Sequence, residues 1–186
     1  MVQAYEYNMS LYQNLMGFGE RFFKKHQLLK HGFNFSPMYR RSTGRITHVS
    51  EDLLLVQMQL RLTYKNRNYV NSIFGGSMFS AVDPIPMVQL IHLLGPDYVV
   101  WDKSAEIRFK RPAKEHLYAE FQYSLEELED IKTKVAQENE LEIVKTTHLT
   151  NADKSQVFCE VKKLIYIANK AYFKQKQEKR AQKVKA

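Results

Sequence analysis

Two consecutive glycines and one aspartate have the residue types and spacing for chemistry on a carbonyl group. Gly75 and Gly76 stand just before an apolar run with the composition of a helix, and Asp83 follows Gly76 by seven residues. The free N–H groups of a first helical turn, with glycines that allow close approach, suit a carbonyl oxygen that gains negative charge. Asp83 would lie about two turns later on the same face. A carboxylate in an apolar helix is costly to bury unless it is paired or used.

Asp83 also has a purely structural interpretation. Pro84 and Pro86 follow it, and Pro84 cannot donate a hydrogen bond to the carbonyl of Ser80, so the helix should kink or loosen here. Because Asp before Pro is a good start signal for a helix, Asp83 could instead cap a second helix. A Gly-Gly pair alone is more often a tight turn than a site for an oxyanion. The residues themselves leave both interpretations open.

The other candidate chemical groups do not form a recognised site. The six histidines show no metal-ligand spacing with carboxylates or with Cys159, so we expect no metal. Cys159 alternates with Val157 and Val161 along a strand, which predicts a buried thiol. The sequence has no phosphate-binding loop, no dinucleotide fingerprint and no nucleophile elbow, and we therefore expect no cofactor.

The elements that would position these groups begin with a helix and two strands. Helical periodicity predicts an N-terminal helix from Asn8 to about His31, and Pro37 and Gly44 then mark a loop or an irregular crossing segment. Two strands are predicted on either side of Ser50-Glu51-Asp52. The most apolar helix of the chain follows them and is stopped by Gly95-Pro96.

The second half of the chain predicts two strands, a charged helix and a final hairpin. Ser124 and Glu127 have the spacing of a capping box that would start the charged helix, and residues 151–154 form a good hairpin turn. The sum is an α+β domain with an antiparallel sheet of five or six strands. A central helix that is apolar nearly all round suggests a sheet wrapped over it, as in a hotdog fold. Periodicity alone leaves other α+β folds open.

Composition predicts one domain in the cytoplasm. The 186 residues are 44% hydrophobic and 26% charged, as in an ordinary globular protein. A single cysteine allows no intramolecular disulfide, the start of the chain lacks the pattern of a secretory signal, and no apolar run approaches the roughly 20 residues that span a bilayer. Residues 1–43 would form an N-terminal helix and crossing segment, 44–168 the core, and 169–186 a basic helix or tail.

The formal net charge of +8 lies largely in the last segment of the chain. Such a tail is usually a solvated helix end, and we favour this interpretation over nucleic-acid binding, for which charge is the only indication. Basic residues in the body of the chain could instead serve a phosphorylated ligand.

Four positions resemble the signature of the PaaI-like hotdog thioesterases: Asn68, Gly75, Gly76 and Asp83 fall on its pattern without a gap. A later strand resembles the family strand that ends in Pro112-Ala113. The resemblance spans roughly residues 44–168. It is closest to a bacterial branch of unknown function in which a charged helix is inserted before the last strands.

The resemblance implies an acyl-CoA thioesterase. Asp83 would activate water or attack the thioester directly, an amide at Gly75 or Gly76 would polarise the carbonyl, and Asn68 would orient the water or the carbonyl. The histidine that precedes the glycines in the family is Phe74 here, which removes a hydrogen-bond donor beside the substrate. We therefore also consider a hotdog protein that binds acyl thioesters or lipids without turnover.

The expected ligand is a thioester of CoA or of an acyl carrier protein. Arg111 and Lys114, near the end of the predicted strand, are candidates to contact the CoA phosphates. A lone hotdog sheet leaves edge strands unpaired, and the sites of the family lie where two subunits meet, so we expect a homodimer or homotetramer.

Overall fold

An antiparallel sheet and its flanking helices make up residues 23–185, the part of the chain that the computed structural model describes. The helices of this part are Lys25–Phe35 (α1), Pro37–Ser42 (α2), Gly75–Val82 (α3), Ile85–Leu94 (α4), Leu125–Glu138 (α5) and Lys170–Lys185 (α6). Its strands are Gly44–Val49 (β1), Leu55–Leu60 (β2), Tyr98–Phe109 (β3), Leu117–Gln122 (β4), Glu140–Thr150 (β5) and Val157–Asn169 (β6). The α+β class predicted from the sequence is confirmed.

The strands of the described residues form one sheet in the order β1-β2-β4-β5-β6-β3, and every neighbouring pair is antiparallel. β5 and β6 form the predicted hairpin, in whose turn the N–H of Lys154 donates to the carbonyl of Asn151 over 3.2 Å. β1 and β3 are the two edges. The prediction of five or six antiparallel strands is confirmed.

Helices α3 and α4 lie end to end against one face of the sheet, which we call the inner face. Met78 of α3 packs in one buried cluster with Met58 of β2, and Leu90 of α4 packs in a second cluster with Ile165 of β6. Contrary to the prediction that no apolar run approaches the length of a bilayer, Gly75–Leu94 could cross a membrane by length and composition alone, since 18 of its residues have a mean hydropathy of 1.2. In the structure 44% of those 18 residues are buried inside the domain. This stretch is the central helix of the fold.

This central helix is broken at Asp83-Pro84, as the two prolines predict. The backbone of both residues remains helical. Because Pro84 has no N–H, however, one backbone hydrogen bond of the helix is missing here. Two buried tyrosines hydrogen-bond carbonyls on either side of the break: the hydroxyl of Tyr39 donates to Ala81 over 2.9 Å, and that of Tyr123 donates to Pro86 over 3.0 Å. The carbonyl groups of Ala81 and Pro86, beside the kink, are therefore hydrogen-bonded by buried side chains of the core and not by solvent.

The helical content before β1 differs from the sequence prediction. Helix α1 continues to Phe35, beyond His31, and the segment expected to be a loop contains helix α2. Ser36 and Pro37 explain this difference, because Ser is a favoured N-cap and Pro a favoured first residue. The predicted residues from Asn8 to position 22 lie outside the described residues.

Helix α5 begins at the predicted cap. The side chain of Ser124 accepts a hydrogen bond from the N–H of Glu127 over 3.0 Å. The carboxylate of Glu127 does not complete the capping box but binds Nζ of Lys145 on β5 at 2.9 Å. That ammonium also lies 4.0 Å from the ring centroid of Tyr123. This ion pair adds to the buried apolar packing that attaches α5 to the sheet.

The basic helix α6 packs on the outer face of the sheet. Its Phe173 lies against Trp101 with ring centroids 4.9 Å apart, and Trp101 stacks on Tyr166 at 4.7 Å. Tyr166 and Ile165 are adjacent in β6 and so point to opposite faces. Because Ile165 faces the central helix, α6 lies on the other side of the sheet from Asp83.

Candidate active site

Asp83 lies at the break between α3 and α4. Its N–H donates to the carbonyl of Phe79 over 2.9 Å, so its backbone still belongs to α3. The N-cap of α4 is Pro84, and no side chain caps that helix. Oδ1 of Asp83 accepts a hydrogen bond from Nζ of Lys163, while the side chain remains 38% exposed. The interpretation of Asp83 as the cap of a second helix is therefore wrong: Asp83 is the C-cap residue of α3 and an ion-pair partner with access to solvent.

Lys163, on the inner face of β6, joins two carboxylates. Its side chain is only 4% exposed, and besides its bond to Asp83 its Nζ lies 2.8 Å from Oδ2 of Asp102 on β3. The ring of Phe79 lies nearby, with its centroid 5.8 Å from Nζ. A buried ammonium needs such partners to offset the loss of hydration. We call Asp83, Asp102 and Lys163 the acid–lysine cluster.

The sequence contained a signal for this cluster that our interpretation missed. Val161, Ile165 and Ile167 alternate along β6 and are buried, and Lys163 occupies the same parity. A lysine at a core position of a strand requires a partner. Asp102 pairs with Ile165 in the sheet register and so faces inward as well.

The cluster has one cation for two acids. Burial raises the pKa of Asp102; the hydrogen bond and charge of Lys163 oppose this shift, and the charge of Asp83 adds to it. Oδ1 of Asp102 is buried and has no hydrogen-bond partner among the described residues. When both carboxyls are ionised, the cluster carries one net negative charge.

Aromatic rings lie close against Gly75 and Gly76. A Cβ atom at Gly75 would lie 2.8 Å from the ring of Phe109, and one at Gly76 would lie 2.3 Å from the ring of Phe74. The Phe74 side chain is 57% exposed. The close approach predicted at this turn is therefore made by the protein's own rings, which flank the start of α3.

Two amides in the first turn of α3 are available to a ligand. The N–H groups of Ser77 and Met78 both donate to the carbonyl of Phe74, over 3.0 and 3.2 Å. Those of Gly75 and Gly76 have no acceptor within the described part of the chain. Two adjacent donors at the positive end of a helix can stabilise a developing oxyanion.

Asn68 organises the loop before α3. Its Oδ1 accepts hydrogen bonds from the N–H groups of Val70 and Ser72, over 3.1 and 3.0 Å, and its Nδ2 donates to the Ser72 hydroxyl over 2.9 Å. The carboxamide is thus engaged inside the loop, and the contacts do not bring it to Asp83. Its role toward substrate stays a prediction.

The basic residues predicted to contact phosphates are separated. Lys114 lines an open depression with Arg67, Glu115 and His116, whereas Arg111 is exposed and lies outside it. Nδ1 of His116 accepts from the N–H of Leu62 over 3.1 Å, so the neutral ring carries its proton on Nε2. Arg67 precedes the central helix and His116 follows it, and neither was predicted from the sequence to contact a phosphate.

The described residues contain no group of metal-ligating side chains and no reactive thiol. Within residues 23–185, no group of three or more His, Cys, Asp or Glu side chains could hold a metal ion. Cys159 is buried, as predicted, and burial raises the pKa of its thiol to about 11. A thiol that is protonated at neutral pH is a poor nucleophile. The acid–lysine cluster and the amides of Gly75 and Gly76 are therefore the candidate reactive groups among the described residues.

A family model covers this site. The model of DUF4442, a domain of unknown function, matches residues 25–166 and so includes the central helix and the complete acid–lysine cluster. The chain belongs to the DUF4442 family. No curated protein sequence matches it significantly.

Solved structures share the fold of this DUF4442 domain. A Pseudomonas aeruginosa protein of unknown function, described as a probable thioesterase, aligns with a TM-score of 0.68 at 20% identity over 77% of this chain and 95% of that one. A Chlorobaculum tepidum protein of unknown function aligns at 0.62 and 16% identity, over 77% and 93%. A Haemophilus influenzae thioesterase aligns at 0.55 and 12%, over 77% and 90%. These likenesses confirm the hotdog fold.

Proposed function

We propose that this protein is a thioesterase that hydrolyses fatty or aromatic acyl thioesters of CoA or of an acyl carrier protein. One observation carries the proposal: helix α3 offers two amides, at Gly75 and Gly76, that have no acceptor among residues 23–185, and a solvent-accessible carboxylate at Asp83. Hydrolysis of a thioester needs these two functions, a donor pair for the oxyanion and a base or nucleophile. Thioesterases among the structures of the same fold support it.

The two functions are too far apart in one chain to act on one thioester. The rise of a helix separates Gly76 from Asp83 by ~10 Å, whereas the reacting carbonyl must lie ~3 Å from both groups. We therefore propose a homodimer, or a higher even oligomer, in which the amides of one copy face Asp83 of another. Edge strand β3 supports this arrangement, because its residues 103–106 are exposed and no other described strand pairs with the edge away from β6.

Two chemical routes are open to Asp83. As a general base, it takes a proton from water while the water oxygen adds to the thioester carbon. The oxyanion forms at the amides of Gly75 and Gly76, and its collapse expels the thiolate, which recovers the proton from Asp83. As a nucleophile, the carboxylate itself displaces the thiolate to form an anhydride, which water then hydrolyses.

The depression beside Lys114 is the proposed site for the phosphates of CoA. Arg67, Lys114 and Nε2 of His116 are donors suited to phosphate oxygens. The N–H of Ile73 donates to the carbonyl of Ala113 over 2.8 Å, which places Lys114 beside the chain that enters α3. A bound CoA would thus lie close to the start of the central helix.

Thiol release from a panel of acyl-CoA and acyl-carrier thioesters tests the proposal. We expect hydrolysis of at least one class, with saturation kinetics and with activity lost when Asp83 becomes Asn. Label found in the Asp83 carboxylate after a single turnover in ¹⁸O-labelled water would identify the anhydride route, because general-base catalysis puts the water oxygen only into the acid product. Absence of thiol release from every thioester in the panel would refute the enzymatic function.

Phe74 favours a second candidate, a protein that binds acyl thioesters or lipids without hydrolysis. Its exposed ring covers Gly76 and supplies no hydrogen-bond donor at the position of the family histidine. Calorimetric binding of a nonhydrolysable acyl-CoA, together with no turnover of the matching thioester, would establish this function instead.

A further inference from the structure

The two carboxylate oxygens of Asp83 differ in their surroundings. Oδ1 accepts the hydrogen bond from Nζ of Lys163, whereas Oδ2 has no partner among the described residues. Asp83 lies between the C-terminus of α3 and the N-terminus of α4, so the dipoles of the two helices oppose each other at its carboxylate. The hydrogen bond from the ammonium of Lys163 fixes the direction of the carboxylate.

Lys163 is itself held in place. Its Nζ lies 2.8 Å from Oδ2 of Asp102 on β3, and the ring of Phe79 lies 5.8 Å away. The side chain of Lys163 is only 4% exposed, so solvent has little access to these contacts. Two elements, α3 and β3, therefore fix one cation from different sides.

We propose that Lys163 and Asp102 are positioning residues that hold Oδ1 of Asp83 and leave Oδ2 as the reacting oxygen. The inference rests on the thioesterase function proposed above. Asp102 anchors Lys163, Lys163 orients Asp83, and only Asp83 touches the substrate or the water. A carboxylate free to rotate at a helix end would seldom present one oxygen in the reactive direction, and such misplacement costs about 10²-fold in rate.

Lys145 provides a matched control. It lies directly opposite Lys163 in the register of β5 and β6, so it shares the inner face, and it also pairs with a carboxylate, that of Glu127. It has no described contact with Asp83. Lys145→Met therefore removes a comparable lysine from the same face of the sheet, but one that makes no hydrogen bond to Asp83 among the described residues.

Kinetics of four variants test the proposal. We expect Lys163→Met to lower kcat by about 10²-fold while KM changes little, and Lys163→Arg to recover most of the loss because it keeps the cation. Asp102→Asn should lose less than Lys163→Met, since it weakens only the anchor. Lys145→Met should match the wild type. Equal kcat in wild type and Lys163→Met, or equal losses in Lys163→Met and Lys145→Met, would overturn the proposal.

A stability measurement is independent of activity. A double-mutant cycle of thermal unfolding with Asp83→Asn and Lys163→Met should show coupling, whereas additive effects would contradict the contact. If Lys163→Met does not fold, the double variant Lys163→Met/Asp102→Asn replaces it, because it also removes the carboxylate that Lys163→Met leaves without a cation. This double variant should show the same loss of kcat. A double variant as active as the wild type would overturn the proposal. If the wild type hydrolyses no thioester, the proposed function fails, and the cycle alone decides whether Lys163 positions Asp83.

Discussion

Nζ of Lys163 hydrogen-bonds Oδ1 of Asp83 across 80 positions of sequence. The contact joins the end of α3 to β6, and it depends on the strand register. A shift of one residue would turn Lys163 to the outer face and bring a neighbour to the helix. The candidate site is therefore specified by the whole sheet, not by the turn before the central helix alone.

Replacing Asp83 with Asn should lower kcat for thioester hydrolysis by about 10²–10⁴-fold, because the variant keeps the size of the side chain but loses the charge that acts on water or thioester. Circular dichroism should show the fold retained. Asp130→Asn is a matched control, since Asp130 also pairs with a lysine, Lys134 at 2.7 Å, on the exposed face of α5. Equal activity of wild type and Asp83→Asn would contradict the catalytic assignment.

The raised pKa of Asp102 predicts an unusual pH dependence of stability. The folded protein holds this proton more tightly than the unfolded chain, so the contribution of Asp102 to stability falls as pH rises through its ordinary value of 3.8 and on through the raised value. Asp102→Asn removes this dependence. We expect the Tm of the variant minus that of the wild type to become more positive between about pH 3 and pH 7, as measured by calorimetry.

Glu160→Gln is the control of opposite sign. Hydrogen bonds from Lys110 and His148 lower the pKa of Glu160, so its contribution to stability is present above its ordinary pKa and is lost as pH falls. The Tm difference for this variant should become more negative as pH rises. The same trend in both variants would show that the charge environment assigned to Asp102 is wrong.

Local pattern was enough to predict most elements of the fold. Alternating Val56, Met58 and Leu60 identified β2, since a half-buried strand repeats every two residues. The kink at Asp83-Pro84 was predictable because Pro lacks the donor that the helix needs. The segment after Phe35 was misread because its proline was taken as a breaker, although Pro is also a common first residue of a helix.

The site was less predictable because its partners come from distant strands. Asp83 and the two glycines could be singled out from one short stretch, but nothing local connects them to Asp102 or Lys163. The capping alternative failed because tertiary pairing with Lys163 gives the Asp83 carboxylate a stronger partner than a backbone amide. The alternation of buried residues along β6 did indicate part of the site, because it places Lys163 among the core positions, where a lysine needs a partner.

Binding of the CoA phosphates predicts a salt-dependent KM. Arg67→Ala and Lys114→Ala should each raise KM for acyl-CoA and leave kcat nearly unchanged, because these residues bind a part of the substrate that does not react. Arg111→Ala should raise KM less, since Arg111 lies outside the depression. Added salt should raise KM of the wild type more than that of the variants. A KM indifferent to salt and to all three substitutions would place the phosphates elsewhere or exclude CoA as the carrier.

Placing at position 74 the histidine found in PaaI-like hotdog thioesterases tests the role of Phe74. Phe74→His should raise kcat, because it returns a hydrogen-bond donor to the start of α3, and the exposed position of the ring leaves room for the change. Phe74→Leu is the control: it uncovers Gly76 equally but provides no donor. A similar gain in both variants would mean that the ring obstructs the site, and that the missing donor does not limit the rate.

Hybrid oligomers test whether two copies build one site. Gly76→Pro removes an amide at the start of α3, and the exposed Phe74 ring can move away from the new side chain. If the amides and Asp83 of one chain act together, mixing inactive Gly76→Pro with inactive Asp83→Asn restores nothing. If they act across copies, a hybrid dimer has one site with intact amides from the Asp83→Asn chain and an intact Asp83 from the other.

Random exchange should then restore about a quarter of wild-type activity, because half of the dimers are hybrid and each has one competent site of two. The two variants would be denatured, mixed, refolded and assayed for thiol release, with each variant refolded alone as the control. Light scattering should show a dimer or higher even oligomer throughout. Recovery near zero from a mixture that light scattering shows to be dimeric would mean that Asp83 acts within its own chain, and a monomer would contradict the shared site altogether.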